Sequence, residues 1–257
     1  MSACVLWHCS NRGCGMTGLL PPPDLETGSV QYARRFAGPS GAYLLDIQDR
    51  GLRDLVDDGP PLHQSALDVG GGHGQLVGGL LDMGIQTTVL GSTADCAEQL
   101  LQGADAGRVD YVTGDLLALP FPDGRFDLVT SIRLLAHIDD PDRLIDELCR
   151  VARYSVIVDY PTLMGANALS AATFPIKRLI EKDTRTYRSF WPARIEQAFR
   201  RNGFAPRRRF KQFSAPMGLH RLAGKPVRMV EEGLRRIGVT SLIGNPVLQR
   251  FDRERKA

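Results

Sequence analysis

The sequence predicts an α/β fold, a mostly parallel sheet with helices on both faces, with N-terminal helices before it and a C-terminal helical lid or extension after it. Three observations predict it. Short runs of β-branched and apolar residues alternate with segments of helical apolar spacing from about residue 65 to 160. At one junction, Ala66-Leu67-Asp68-Val69-Gly70-Gly71-Gly72-His73-Gly74, an apolar strand runs straight into a glycine turn. And 257 residues of which 43% are apolar suffice for one core with additions.

The elements follow in order. Residues 1–28 hold Gly, Thr and the triple Pro21-Pro22-Pro23, and read as a disordered or extended leader. The leader lacks a basic stretch followed by a continuous apolar one, so it does not read as a signal peptide, and Met16 offers a second start. Its Cys4, Cys9 and Cys14, with His8 among them, have a spacing that matches no common zinc pattern, so a loose tail is favoured and no metal is assigned. Residues 30–36 read as a short helix. Residues 42–56 read as a longer one with Leu45, Gln48 and Leu52 near one face, ended by Gly59-Pro60-Pro61. Strands are expected at 65–69, 87–90, 109–113, 126–130 and 155–159. Helices are expected between them at 75–83, capped by Gly84, at 94–102, and at 141–152 with Pro141 in the first turn. Cys96 and Cys149 fall in two of these helices as buried thiols.

Beyond residue 160 the pattern is helix at 167–180 and 192–202, strand at 205–213, and short helices at 217–223 and 227–237. The organisation is thus a leader (1–28), a core with N-terminal helices (29–160), and a basic extension (161–257) that completes the sheet and closes over one side of it as a lid. The net charge of +3 hides an asymmetry: residues 1–160 carry 11 Lys+Arg against 22 Asp+Glu, and residues 161–257 carry 21 against 7. Either the two parts dock electrostatically or the second meets an anion. The densest basic run is Arg207-Arg208-Arg209 with Lys211. On a regular strand Arg207, Arg209 and Lys211 share one face and Phe210 takes the other. A phosphate or RNA contact and a charged edge strand are both open, and the lack of an aromatic platform favours the edge strand. No apolar run approaches the roughly 18 residues of a membrane span, so a soluble, cytoplasmic protein is expected.

Chemistry concentrates at the strand ends. Glycines at 70, 72 and 74, followed by Gln75, depart from the dinucleotide pattern G-x-G-x-x-G. Glycine has no Cβ to keep a ligand off the backbone, and the following helix adds unpaired N–H groups. With Asp68 two residues ahead, the stretch resembles the Asp-x-Gly-x-Gly-x-Gly pattern of class I S-adenosylmethionine-dependent methyltransferases. That resemblance implies a Rossmann-like fold, Asp68 facing the methionine amino group, and Gly70, Gly72 and Gly74 passing under the methionine and ribose. A second stretch, Tyr111-Val112-Thr113-Gly114-Asp115-Leu116 through Pro122-Asp123-Gly124-Arg125-Phe126-Asp127-Leu128-Val129-Thr130, is similar to the adenine-side loop of the same class, in the branch with the ubiquinone and menaquinone biosynthesis methyltransferases. It implies that Asp115 accepts from the adenine amine and that the Leu116 backbone meets a ring nitrogen. A third, Leu134 to Pro141 and on to Arg153, resembles the segment after strand four.

The chain departs from the family in two places. The end of strand two has only Ser92 where an acid meets the ribose, with Asp95 slightly beyond; Ser92→Asp is then expected to tighten cofactor binding. Before strand five, Ala152-Arg153-Tyr154-Ser155 replaces a Pro-Gly-Gly turn. The function so implied is methyl transfer from S-adenosylmethionine to a small-molecule acceptor. The reaction is an in-line displacement that depends on positioning and needs a base only if the acceptor must lose a proton. Arg133, His137 and Tyr160, at the ends of strands four and five, are the candidate catalytic residues, with a loop-packing role competing for His137. A nucleic-acid methylating or binding protein using the basic third, and a cofactor-binding protein without catalysis, are the alternatives.

Overall fold

A computed structural model describes residues 22–27, 36–60, 62–71, 74–103, 105–163, 188–215 and 217–254. The cysteine cluster with His8, Gly72, and the helices expected at 30–36 (all but its last residue) and 167–180 lie outside the described residues. Seven strands form one sheet in the order β3-β2-β1-β4-β5-β7-β6. They are β1 (Ser65–Val69), β2 (Gln86–Gly91), β3 (Asp110–Thr113), β4 (Phe126–Ser131), β5 (Ala152–Tyr160), β6 (Phe204–Phe213) and β7 (Asn245–Arg253). The first five pair in parallel, and β7 enters antiparallel between β5 and β6. The strand order reverses between β1 and β4, and ligands of such sheets sit beyond the carboxyl ends at that point.

Helices cover both faces. α1 (Pro23–Thr27) is a helical turn inside the leader that the sequence reads as extended. α2 (Gly38–Val56) buries Leu44, Ile47, Leu52 and Leu55, one stripe at helical spacing, against the sheet. α3 (Val77–Asp82) is shorter than the expected 75–83, and the helix expected at 94–102 divides into a tight 3₁₀ turn at Ala94–Ala97 and α4 (Glu98–Gln102). α5 (Pro141–Val151) starts where Pro141 and Asp140 say it must: Pro occupies the first turn and the Asp140 carboxylate accepts from the Arg143 N–H at 3.0 Å. α6 (Pro192–Arg201), α7 (Met217–Ala223), α8 (Lys225–Arg236) and α9 (Val239–Ile243) complete the C-terminal part. Among the described residues no helix is long and apolar enough to cross a membrane.

Strand β7 is absent from the sequence reading because Gln249-Arg250 interrupts its apolar pattern. Arg250 is nonetheless fully buried. Its guanidinium caps the carboxyl end of α2, donating to the Leu55 and Val56 carbonyls at 2.8 and 3.2 Å, while Nε donates to Asp252 at 2.7 Å. A helix's last carbonyls supply the partners that a buried cation requires.

The basic run lies on β6, the edge strand, but not on one face. The register shifts between Pro206 and Arg208, and a bulge breaks the alternation. Arg207 and Arg208 therefore both reach Asp58 at the end of α2, at 2.9 and 3.0 Å, and Arg208 also reaches Asp54 at 2.7 Å. Arg209 alone turns to Glu196 of α6. Arg194 and Arg201 meet Asp142 on α5. The charge split is thus used, at least in part, to dock the basic third on the acidic core.

Because Leu248 and Phe251 of β7 are buried against the core and its neighbour β5 belongs to the first 160 residues, a fragment of residues 161–257 is expected to show no cooperative melt on its own. A sharp thermal transition of that fragment by circular dichroism would refute this.

Candidate functional site at the carboxyl ends of the strands

The glycine turn is shaped by backbone constraints. Gly70 and Gly74 have φ of +76° and +62°, a region that residues with a Cβ seldom enter. The Gly70 N–H donates to the Leu90 carbonyl at 2.8 Å, which ties the turn to the end of β2. Gly71 has a different duty: a Cβ there would collide with the Asp68 carboxylate. The sequence pattern stresses positions 70, 72 and 74, and nothing in it points to Gly71 as the residue that leaves room for the acid.

Asp68 is almost completely buried at the end of β1. Its Oδ1 accepts from the Thr130 hydroxyl at 2.8 Å. The two residues are paired in the β1–β4 register, which is what brings them together. Burial pushes the Asp68 carboxyl up to about 6, against the lowering effect of the Thr130 bond. Thr130 is a partner of the candidate site that sequence reasoning did not find, because its link to Asp68 exists only across the sheet.

At the end of β2 the structure adds a carboxylate that the local sequence lacks. Asp24 of α1 is buried, and both its oxygens accept from Ser92: from the backbone N–H at 2.6 Å and from Oγ at 2.6 Å. Ser92 thus serves as the anchor of an acid from 68 residues upstream. Asp95 is exposed in the following turn. Tyr111 closes this corner by donating to the Thr93 carbonyl at 2.7 Å, its phenol pushed well up by burial.

Beyond β3, Asp115 is exposed and its Oδ1 accepts from the Leu117 N–H at 2.8 Å, a turn that orients the carboxylate, while the Leu116 side chain is buried. The loop after it is held by α5. Arg150 donates to the Leu119 and Phe121 carbonyls at 2.9 and 2.7 Å, Glu147 accepts from the Leu119 N–H at 2.7 Å, and Arg143 donates to the Leu117 carbonyl at 2.9 Å.

The three candidate catalytic residues part company. Arg133, just past β4, has φ of +61°, unusual for a long side chain. Its N–H donates to Asp159, its Nη2 to Gln48 of α2, and its guanidinium lies 4.1 Å from the Phe36 ring centroid. Buried Nη1 has no hydrogen-bond partner among the described residues. Burial pushes Asp159 up to about 6, the Arg133 N–H and charge opposing it. Asp159 was not among the sequence candidates. His137 is half-buried in the turn after β4, its N–H donating to the Leu134 carbonyl at 2.9 Å. Arg188 of the basic third crosses this turn, donating to the Ala136 and Asp139 carbonyls at 2.9 and 2.8 Å. Tyr160 is a core residue, fully buried. Alternation along β5 sends it away from Asp159, its hydroxyl donates to Gln249, and its ring meets Phe190 edge-on.

Comparison with known proteins fits this arrangement. Residues 67–157 match the family model described as Methyltransferase domain. A demethylmenaquinone methyltransferase of Roseiflexus castenholzii is 32% identical over 151 residues, 53% of this chain and 61% of that protein. A norajmaline N-methyltransferase of Rauvolfia serpentina is 35% identical over 112 residues, 40% of this chain and 38% of that protein. The chain therefore spans less than two thirds of the length of these relatives. Among solved structures, the magnesium protoporphyrin IX methyltransferase of Synechocystis PCC 6803, crystallised with bound SAH, superposes with a TM-score of 0.62 at 18% identity, over 89% of this chain and 96% of that one. At that identity the likeness speaks for the fold.

Proposed function

Since residues 67–157 match the family model described as Methyltransferase domain, we propose that this protein is an S-adenosylmethionine-dependent methyltransferase acting on a small-molecule acceptor. The observation that carries the reading is the set of three carboxylates, Asp68, Asp24 and Asp115, gathered at the carboxyl ends of β1, β2 and β3 beside a glycine turn with positive φ at Gly70 and Gly74. The residues fit the cofactor. Asp68 would hold the methionine ammonium, Gly70 and Gly74 with their positive φ would turn the chain beneath it, Asp24 would accept from the ribose hydroxyls, and Asp115 with the Leu116 backbone would meet the adenine edge. When bound, the cofactor supplies an electrophilic methyl group on a sulfonium. The chain's own work is to align an acceptor atom with it.

Arg133, His137 and Asp159 line the acceptor side of this reading. Asp159, its carboxyl raised to about 6 by burial, is a base matched to an acceptor that must lose a proton near neutral pH. The relatives named for quinone and alkaloid methylation support a small-molecule acceptor. The nucleic-acid alternative is not favoured, because Arg207, Arg208 and Arg209 are engaged by Asp58, Asp54 and Glu196. We place the protein in the cytoplasm, where a reducing milieu suits the free thiols of Cys96 and Cys149.

Isothermal calorimetry tests the cofactor: S-adenosylmethionine and its demethylated product are expected to bind, and tighter binding of NAD would overturn the reading. Transfer of a labelled methyl group to quinol and amine acceptors tests the reaction itself. A pH dependence follows from Asp68. Only its ionised form attracts an ammonium, so affinity is high above the folded pKa of about 6 and falls as pH drops through it. Between pH 7 and pH 5 the ionised fraction falls about tenfold, and affinity with it. Binding at pH 6 then releases about half a proton per site, seen as a buffer-dependent heat. A flat profile would remove Asp68 from the ammonium site.

A further inference from the structure

Helix α8 is turned with its apolar stripe outward. Pro226, Met229, Val230, Gly233 and Ile237, the residue just past its end, share one side of the helix at 3.6-residue spacing. Met229, Val230 and Ile237 are 68%, 62% and 73% exposed. An amphipathic surface helix ordinarily buries such a stripe. Here the polar side is held inward by backbone groups that need partners. Glu231, buried, accepts from the Ser214 and Ala215 N–H groups after β6, at 2.7 and 3.0 Å. Arg235 donates to the Lys211 and Gln212 carbonyls, Arg228 donates to the Pro39 carbonyl at 2.8 Å, and Glu232 pairs with Arg50 of α2 at 3.2 Å. The helices packed on α8 add exposed apolar side chains, with Leu222 of α7 at 87% and Leu242 of α9 at 74%.

The charges around the stripe have one sign. Lys225 and Arg236 are exposed and flank it on the Met229 side. Of the two carboxylates of residues 217–243, Glu231 is buried and bonded to the backbone after β6, and Glu232 is paired with Arg50 of α2. A second copy of the chain suits this face poorly, because a two-fold contact would set the same cations against each other with no carboxylate between them. An anionic lipid bilayer suits it well, offering an apolar layer beneath a layer of phosphates.

We propose that the α7–α9 face docks on anionic membrane surfaces, with Met229, Val230, Ile237 and Leu222 entering the interface and Lys225 and Arg236 meeting lipid phosphates. The helices lie on the membrane and do not cross it. The inference stands apart from the methyltransferase reading, since neither the cofactor carboxylates nor the acceptor side contribute to this face.

Vesicle flotation with the full chain tests it, using phosphatidylcholine vesicles with and without phosphatidylglycerol. The wild type should float with the anionic vesicles only, and raised salt should release it. Lys225→Gln and Arg236→Gln should each lower partitioning about fivefold. Met229→Gln with Ile237→Gln should weaken it further, while melting temperature and S-adenosylmethionine affinity stay unchanged, because these side chains are exposed and make no part of the carboxylate set at β1, β2 and β3. Wild-type protein that fails to float, or floats equally with neutral vesicles, would overturn the proposal. So would a concentration-dependent dimer in sedimentation that Ile237→Gln dissolves, which would make the face a contact between copies. The single-cation variants keep the test decisive should the double apolar variant not fold.

Discussion

Asp68→Asn is expected to cost on the order of 100-fold in S-adenosylmethionine affinity, since a charge-assisted bond to an ammonium is worth roughly 1.5–3 kcal/mol. Asparagine keeps the size of the side chain and the carbonyl that accepts from the Thr130 hydroxyl at 2.8 Å, so the change isolates the charge. The folded protein without cofactor should be no less stable, because burial already disfavours the ionised carboxyl and pushes it up to about 6. Calorimetry and thermal melting give the two numbers. Affinity held within about threefold would mean that no ammonium is bound there. Gly71→Ala should reach the same loss by another route, because its Cβ takes space that the Asp68 carboxylate occupies.

The second large effect concerns the ribose. Asp24→Ala should weaken cofactor binding by about 2 kcal/mol, roughly thirtyfold, the scale of one carboxylate accepting from two hydroxyls. The local sequence around strand two leads to the opposite experiment, Ser92→Asp as an improvement. The tertiary structure reverses that sign. Asp24 lies 2.6 Å from both Ser92 donors, so a second carboxylate there meets like charge and loses the hydroxyl that orients the first. Ser92→Asp should therefore weaken binding in the wild-type chain and restore it in the Asp24→Ala chain. Asp95→Ala, at an exposed position, should leave affinity unchanged. If Asp24→Ala lowers the melting temperature but not the affinity, Asp24 only fastens α1 to the turn after β2.

Much of the core was legible because its signals are local. The alternation of strands and helices between residues 65 and 160 follows from apolar period, and Pro141 with Asp140 marks a helix start through the needs of the first turn's N–H groups. The run from Asp68 through the glycines to Gly74, and Asp115 behind strand three, are visible because a tight strand-to-helix turn is written in contiguous residues. Strand β7 was not legible, since the buried Arg250 in its middle looks like a surface residue until the carbonyls of Leu55 and Val56 are set beside it.

The succession of the first five strands along the chain, the glycine turn and the excess of base over acid in the last third were determined by the sequence itself, through periodicity, backbone freedom and charge. Only the tertiary structure decided which groups meet: Asp68 with Thr130 across the β1–β4 register, Asp24 with Ser92 across 68 residues, Arg207 and Arg208 with Asp58 through a bulge, and Tyr160 with Gln249 in the core. It also decided that α8 faces outward with its apolar side, a reversal that no reading of the helix alone could supply. The physical reason is common to all of these. Period and propensity act within a few residues, whereas a buried carboxylate, hydroxyl or guanidinium is satisfied by whatever partner the fold brings to it.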